Sequence, residues 1–315
     1  MFQEDIMNIP EKITLCEVGL RDGLQNEKTI IPADKKLELL RGLIDAGFPV
    51  IEVGSFMHPV KVPQMADTDE LFKSIGDVSG VELRALIPNL RGVQRAIDCG
   101  CKKVKLNVSA SREHNLKNLN KTPEETVAGF SECVKASEAA GIEVSGSISM
   151  PFASPWEGLT PVEDVDAIIR AYLDVGIREI SLSDTSGMAS PKQVYSLCSH
   201  VKEAFPEADW WLHFHNTRGM AMANICAAME AGITRFDSSF GGLGGCPFVP
   251  GAAGNISTED VLHMCEADRI ETGVDLVKLI ALSRRLQELL GKDLDSYVLR
   301  AGRNTDLIQA QGEKD

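Results

Sequence analysis

The feature that most constrains the fold of this chain is a regular alternation of short apolar or β-branched segments with longer segments of helical periodicity. Eight of the short segments are predicted to be strands, and successive strands start 20 to 40 residues apart. This interval accommodates one strand, one loop and one helix. The predicted strands are Ile13–Val18, Val50–Gly54, Leu83–Ile87, Lys103–Val108, Glu143–Ser149, Glu179–Ser183, Trp211–His215 and Thr234–Ser238.

The segments between the strands carry helix-start and helix-stop signals. Thr122, Thr160 and Ser190 each precede a proline, as an N-cap residue precedes a proline at the first helical position. The helix that starts at Thr122 is predicted to run to Ala140, where a glycine follows. The first helix is predicted over residues 32–47, again with a glycine at its end. The recurrence of N-cap, helix, glycine and strand indicates repeated βα units.

Eight such units within about 230 residues predict an α/β protein with a (β/α)₈ TIM barrel, a fold that takes roughly 250 residues. A doubly wound open sheet is the competing architecture. No GxGxxG motif follows the first strand, which counts against a dinucleotide-binding sheet. We expect a single domain over residues 1–315. It comprises a barrel at about 12–256, additional C-terminal helices at about 257–300 and a loose tail at 302–315.

Charge and composition bear on the partners and the compartment. The chain has 32 basic and 46 acidic residues and a formal net charge of −14, which argues against nucleic acid or an anionic membrane as the main partner. We expect no transmembrane helix, because no apolar run approaches the length that spanning requires. The first residues do not resemble a secretory signal peptide, and the last residues do not match a peroxisomal targeting signal. The eight cysteines form no CxxC pair. These features predict a cytoplasmic protein with reduced thiols.

Functional residues of a TIM barrel lie at the C-terminal ends of its strands, and two polar pairs of this sequence fall there. Arg21 and Asp22 follow the first strand beside a glycine, although a surface ion pair in a turn is the alternative. His213 and His215 share one face of the seventh strand because side chains alternate along a strand. Two imidazoles on one face are half of a metal site, whereas two hydrogen-bonded core histidines are the alternative.

The eighth strand leads into a loop over residues 240–255 that contains six glycines and two prolines. Such a loop forms neither helix nor strand, and its glycines can cradle a phosphate or form a hinge. Cys246 lies in the middle of this loop. A glycine-rich loop is a poor place for a buried, hydrophobe-like cysteine, so a functional thiol is favoured.

Two acids and an amide also lie near strand ends. Glu52 lies within the second strand, Asn89 follows the third, and Asp184 ends the sixth. A buried acid requires a partner, and Arg21 or a metal-bound histidine would serve for Glu52. For both acids, a salt bridge without a catalytic role is the alternative.

Taken together and in this order, these residues resemble the 3-hydroxy-3-methylglutaryl-CoA lyase family of metal-dependent barrel lyases and aldolases. The resemblance covers the chain from about Ile13 to about Leu290. The loop around Cys246 looks like the signature that separates these lyases from the related carbon–carbon-forming synthases. The most specific segments are Glu17–Glu27, Val62–Asp67, His213–His215 and Gly241–Pro247.

The resemblance implies a barrel that binds one divalent cation, Mg²⁺ or Mn²⁺ with Zn²⁺ as an alternative, and no nucleotide cofactor beyond the CoA thioester substrate. It implies that Arg21 stabilises an enolate and that Cys246 takes part in proton transfer. Glu52 and Asp184 would lie in or beside the active site, and His213 would serve catalysis as well as the metal. The implied metal ligands are Asp22, His213, His215 and Asn255. The residues expected to contact the substrate or CoA are Gln25, Lys28, Asn89 and Gly245.

The implied reaction is a retro-Claisen cleavage that yields acetyl-CoA and a 3-oxo acid such as acetoacetate, as in leucine catabolism and ketone-body formation. A homodimer is the family expectation. The alternatives are a synthase that condenses acetyl-CoA with a 2-oxo acid, and a catalytically silent barrel that only binds an acyl-CoA or a metal. Phe240 and the 150–155 segment depart from the family pattern and are predicted to shape the acyl pocket, so a longer 3-hydroxy-3-acyl-CoA is a further possibility.

The acidic net charge does not exclude CoA, but it predicts a local basic rim for the CoA phosphates on the catalytic face. Lys28 follows the Arg21–Asp22 turn, and Arg112 and Lys117 follow the fourth strand. These three residues are the candidates for the rim, and exposed loop residues without a ligand are the alternative.

Overall fold

The computed structural model describes residues 8–245 and 253–307. Within these ranges, eight parallel strands form a closed barrel. The strands are β1 (Thr14–Glu17), β2 (Val50–Ser55), β3 (Glu82–Ile87), β4 (Lys103–Ser109), β5 (Glu143–Ser149), β6 (Glu179–Asp184), β7 (Asp209–Phe214) and β8 (Arg235–Ser238). Strand β1 pairs with both β2 and β8, which closes the sheet. The predicted (β/α)₈ barrel is therefore confirmed.

Helices connect the strands and cover the outside of the barrel, and three more follow the last strand. None of the helices in the described ranges has the length and apolar character needed to cross a membrane. The helices are α1 (Ala33–Asp45), α2 (Thr68–Ile75), α3 (Leu90–Cys99), α4 (Arg112–Leu119), α5 (Pro123–Ala128), α6 (Phe130–Ala139), α7 (Val162–Asp174), α8 (Pro191–Ala204), α9 (Ala221–Glu230), α10 (Thr258–Ala267), α11 (Leu276–Leu290) and α12 (Tyr297–Ala301).

One predicted helix is interrupted in the structure, and one predicted helix start differs from it. The helix expected from Thr122 is broken at Gly129 into α5 and α6, although Thr122 is the N-cap as predicted. Thr160 is not an N-cap, because Pro161 occupies that position before α7. The Thr160 hydroxyl instead donates a hydrogen bond to the Met150 carbonyl at 2.7 Å.

The strand register separates an apolar outer layer from a polar interior. Leu212 on β7 lies beside Phe236 on β8, and both are buried in the main apolar core between strands and helices. The next pair in register is His213 beside Asp237. Because side chains alternate along a strand, this second pair faces the inside of the barrel. The fold thus places polar groups from neighbouring strands side by side at the catalytic end.

Candidate active site

A cavity opens at the C-terminal ends of the barrel strands, where the sequence predicted the functional residues. Its walls are formed by the turn after β1, by the ends of β4 to β8 and by the start of the glycine-rich loop. Six of the residues singled out in the sequence line this cavity: Arg21, Asp22, Gln25, His213, His215 and Gly245.

A π-helical turn over Gly19–Gly23 presents Arg21 and Asp22 to the cavity. The carbonyl of Val18 accepts hydrogen bonds from the backbone N–H groups of Arg21, Asp22 and Gly23, at 2.7 to 3.2 Å. A side chain at Gly19 would collide with the ring of Phe240, so the close approach of that ring requires glycine. The turn is therefore fixed both by its own backbone and by packing against the residue that opens the glycine-rich loop.

Two carboxylates fix the guanidinium of Arg21. Its Nε donates to Glu52 and its Nη1 donates to Asp22. Burial lowers the pKa of Arg21, but the neighbouring charges of Glu52 and Asp22 more than offset burial and hold the pKa above its ordinary value. Glu52 is fully buried, and its second oxygen accepts a hydrogen bond from Lys105 at 2.8 Å. Of the two partners predicted for Glu52, the structure shows Arg21, and Lys105 is an additional partner.

Asp22, His213 and His215 converge closely enough to hold one metal ion. Their ligand atoms all lie within 4.8 Å of one another. The Nε2 atom of His215 is 3.4 Å from Asp22 Oδ2 and 3.1 Å from His213 Nε2. The Nε2 atom of His213 is 3.8 Å from Asp22 Oδ2. The prediction that the two imidazoles share one face is confirmed.

Asn255 completes the cluster. Its backbone forms a bridge with His215, and its Nδ2 donates to Asp22 Oδ2 at 2.7 Å and to the Leu243 carbonyl at 2.9 Å. The Oδ1 atom of Asn255 is buried and has no hydrogen-bond partner in the part of the chain that the structure describes. A buried carbonyl oxygen without a partner is costly. The amide presents Nδ2 to Asp22, so rotation of this amide would turn Oδ1 toward a cation bound by the cluster. The donor set of one carboxylate, two imidazoles and one amide oxygen therefore fits a divalent cation.

The sequence as a whole matches known proteins. The family model described as HMGL-like matches residues 12–286. The hydroxymethylglutaryl-CoA lyase YngG of Bacillus subtilis is 40% identical over 93% of this chain and 98% of its own length. The mitochondrial hydroxymethylglutaryl-CoA lyase of Bos taurus is 39% identical over 93% of this chain and 90% of its own length. The chain belongs to the hydroxymethylglutaryl-CoA lyase family.

The solved structures agree with this assignment. An HMG-CoA lyase from Acinetobacter baumannii, solved in complex with coenzyme A and 3-methylmalate, superimposes with a TM-score of 0.91 at 44% identity. The alignment covers 95% of this chain and 98% of that one. As a member of the HMG-CoA lyase family, the chain is a carbon–carbon lyase, and the relatives named here are lyases, not synthases.

The side chains of Asp184 and Asn89 both accept hydrogen bonds from nearby backbone N–H groups. The Asp184 carboxylate accepts hydrogen bonds from the backbone N–H groups of Met188 and Ala189, both at 3.0 Å, and thereby shapes the loop after β6. Burial raises the pKa of Asp184. The Asn89 side chain is the N-cap of α3 and accepts from Arg91 N at 3.0 Å. Neither residue lines the described cavity, although both adjoin the catalytic face.

The basic candidates for a CoA rim lie on the surface. Lys28 is exposed on the loop after the first turn. Arg112 pairs with Glu124 at 3.1 Å, and Lys117 lies 3.5 Å from Glu113. These exposed ion pairs contribute little to stability, so they leave both cations able to exchange partners.

The glycine-rich loop is described only in part. Cys246 lies outside the described residues, whereas Gly245 lines the cavity and its carbonyl accepts from Asn26 Nδ2 at 2.7 Å. Phe240 does not line the described cavity, and its ring is buried against Gly19. The 150–155 segment does not line the described cavity either, and its residues 153–154 pair with residues 158–159 in a short hairpin.

Several polar cavity residues were not predicted. Lys105 and Asp237 lie at inward-facing positions of β4 and β8 and are linked to the predicted residues Glu52 and His213. The signal was present in the sequence, because polar residues alternate along β4, β5 and β6 as the histidines do along β7. The other polar residues of these strands and their ends that line the cavity are Asn107, Ser147, Ser149, Ser183 and Thr185.

Proposed function

We propose that this chain cleaves 3-hydroxy-3-methylglutaryl-CoA, or a closely similar 3-hydroxy-3-acyl-CoA, into acetyl-CoA and a 3-oxo acid. The observation that carries the proposal is the Arg21 guanidinium held beside the Asp22, His213 and His215 cluster within one cavity. A retro-Claisen cleavage uses both parts, because one substrate oxygen loses a proton while another gains negative charge. The names of the relatives support the substrate, and the coenzyme A complex of one relative supports binding of a CoA ester.

The proposed metal is Mg²⁺ or Mn²⁺, with Zn²⁺ as the alternative, held by Asp22, His213, His215 and Asn255. When bound, the cation would lower the pKa of the tertiary hydroxyl of the substrate and orient the acyl group. Asp22 and Arg21 form an ion pair, so the position of the candidate metal ligand Asp22 is fixed relative to the Arg21 guanidinium.

The proposed role of Arg21 is to stabilise the enolate. As a base of the site takes the proton of the hydroxyl, the bond between C2 and C3 of the acyl group breaks and C3 becomes a ketone. The electron pair of that bond moves to the thioester carbonyl, which becomes an enolate. Arg21 lines the cavity while Glu52 and Asp22 each accept from one of its nitrogens, and the remaining N–H groups on Nη1 and Nη2 are the donors proposed for the enolate oxygen. A fixed cation in a largely buried site lowers the energy of that charge without reorganising.

The enolate carbon must then take up a proton to give acetyl-CoA. We assign this proton transfer to Cys246, which follows Gly245 at the edge of the cavity. Gln25 lines the same cavity, and its buried Oε1 has no hydrogen-bond partner among the described residues, which supports a role in binding a substrate donor group. The proposed setting is a cytoplasmic homodimer in leucine catabolism or ketone-body formation.

A panel of acyl-CoA esters that differ in the 3-acyl branch tests the substrate, with the products identified by mass spectrometry. We expect 3-hydroxy-3-methylglutaryl-CoA or a close analogue to give acetyl-CoA and the matching 3-oxo acid. Condensation of acetyl-CoA with a 2-oxo acid would support the synthase instead. Tight binding of the panel without turnover would support a silent binding barrel.

A further inference from the structure

The buried carboxylate of Asp237 lies directly behind one of the candidate metal ligands. Asp237 and His213 are paired in register on adjacent strands, and the two residues are 2% and 5% exposed. The Oδ2 atom of Asp237 is 3.2 Å from His213 Nδ1. The opposite ring nitrogen of His213, Nε2, faces Asp22 and His215. The imidazole of His213 therefore lies between the Asp237 carboxylate and the other candidate metal ligands, Asp22 and His215.

This contact determines which ring nitrogen carries the proton. A carboxylate accepts hydrogen bonds, so the nitrogen that faces Asp237 is the donor, Nδ1–H. The lone pair of a neutral imidazole is then on Nε2, the atom that faces the cluster. A histidine with the opposite tautomer would present an N–H group to a cation and could not bind it.

Asp237 is itself held by a chain of charged groups. Lys105 Nζ lies 3.5 Å from Asp237 Oδ2 and donates to Glu52 at 2.8 Å. Glu52 in turn accepts from Arg21. One continuous set of buried contacts thus connects His213 to Arg21, and such a network restrains its members more than isolated pairs do.

We propose that Asp237 is a positioning residue of the metal site: it fixes His213 in the Nδ1–H tautomer and aims Nε2 at Asp22 and His215. Through Lys105 and Glu52, Asp237 also sets the position of this ring relative to the Arg21 guanidinium. The proposal deepens the proposed function because it concerns the same site. Its tests measure metal binding and ring protonation without substrate, so they succeed or fail independently of turnover.

The first test is the dissociation constant for Mn²⁺ of the variant Asp237→Asn, measured by calorimetry without substrate. We expect binding about 10 to 100 times weaker than in the wild type, the usual effect of losing a partner behind a metal-bound histidine. The matched control is Asp166→Asn, which removes an aspartate 3.0 Å from His200 Nε2 on the outer helices. The control should bind Mn²⁺ as the wild type does. Equal affinity of Asp237→Asn and the wild type would overturn the proposal.

The second test keeps the native chain. Nitrogen-15 NMR of the metal-free protein reports the tautomer of each of the six histidines. The variant His213→Asn assigns the signal of His213. We expect the proton of His213 on Nδ1 in the wild type, and a loss of that preference in Asp237→Asn. A wild-type His213 with its proton on Nε2 would overturn the proposal, even if Asp237→Asn fails to fold.

Discussion

The buried ammonium of Lys105 gives the sharpest stability prediction. Its side chain is 3% exposed and lies between two carboxylates, with Nζ 2.8 Å from Glu52 and 3.5 Å from Asp237. The variant Lys105→Met keeps an unbranched side chain of similar length but removes the charge. The variant would leave two buried carboxylates facing each other without the cation that separates them.

The expected magnitude follows from burial and from chain length. Removing one partner of a buried ion pair costs about 3 to 5 kcal/mol of unfolding free energy, because an uncompensated charge remains in the interior. The entropy of unfolding is about 2.1 cal/mol/K per residue, which for 315 residues gives about 0.66 kcal/mol/K. Dividing the first quantity by the second predicts a Tm lower by about 5 to 8 °C.

Differential scanning calorimetry at neutral pH measures the change. The matched control is Lys12→Met, since Lys12 also pairs with a carboxylate, Glu271 at 2.6 Å, but both side chains are 65% exposed. Surface changes of this kind stay within about 0.5 kcal/mol, so the control should lower Tm by less than about 1 °C. A Tm of Lys105→Met within about 1 °C of the wild type would refute the argument that this ion pair is buried and essential to the interior.

Three further predictions concern the rim, a buried acid and the loop thiol. Lys28→Glu should raise KM for the thioester with little change in kcat, and the rise in KM should be larger at low salt than at high salt. The control is Lys102→Glu, which should leave KM unchanged because Lys102 is exposed just before β4 on the opposite face of the barrel. An unchanged KM for Lys28→Glu would place the CoA phosphates elsewhere. Burial raises the pKa of Glu17 from 4.5 to about 8. Between pH 5 and pH 8 the unfolded chain therefore releases a proton that the folded protein keeps, so the free energy of unfolding should fall over this range. Urea titrations should show a smaller fall for Glu17→Gln, and an equal fall would contradict this account. Cys246→Ala should lower kcat by about 100-fold or more with the fold intact by circular dichroism, and wild-type kcat would exclude the thiol from proton transfer.

The barrel and the two histidines of the candidate metal site could be predicted from local patterns in the sequence. Strand length, glycine and proline signals, and the alternation of side chains placed His213 and His215 on one inward face without any knowledge of their neighbours. The same alternation applies to Lys105 on β4, but a single lysine in a strand does not reveal which carboxylate it meets. That information comes from barrel closure, which brings β4 close to β2 and β8 across the interior.

Long-range packing also explains what the sequence could not predict at other positions. Asn89 and Asp184 follow strands, as catalytic residues do, yet their side chains are engaged by nearby backbone N–H groups. A polar residue just after a strand can cap the next helix or bind a ligand, and the sequence position is the same in both cases. Only the direction of the side chain distinguishes the two roles. Phe240 was expected to shape the acyl pocket because it departs from the family pattern in the glycine-rich loop, and its ring packs against Gly19. Local sequence therefore predicted positions better than orientations.

The central claim is that a divalent cation bound beside Arg21 supports cleavage of the acyl-CoA. The most direct measurement is the rate of acetyl-CoA release from 3-hydroxy-3-methylglutaryl-CoA by enzyme treated with EDTA and then dialysed, before and after Mg²⁺ or Mn²⁺ is restored. We predict that the stripped enzyme is inactive and that either cation restores release of acetyl-CoA and acetoacetate. Full activity of the metal-free enzyme would contradict the account.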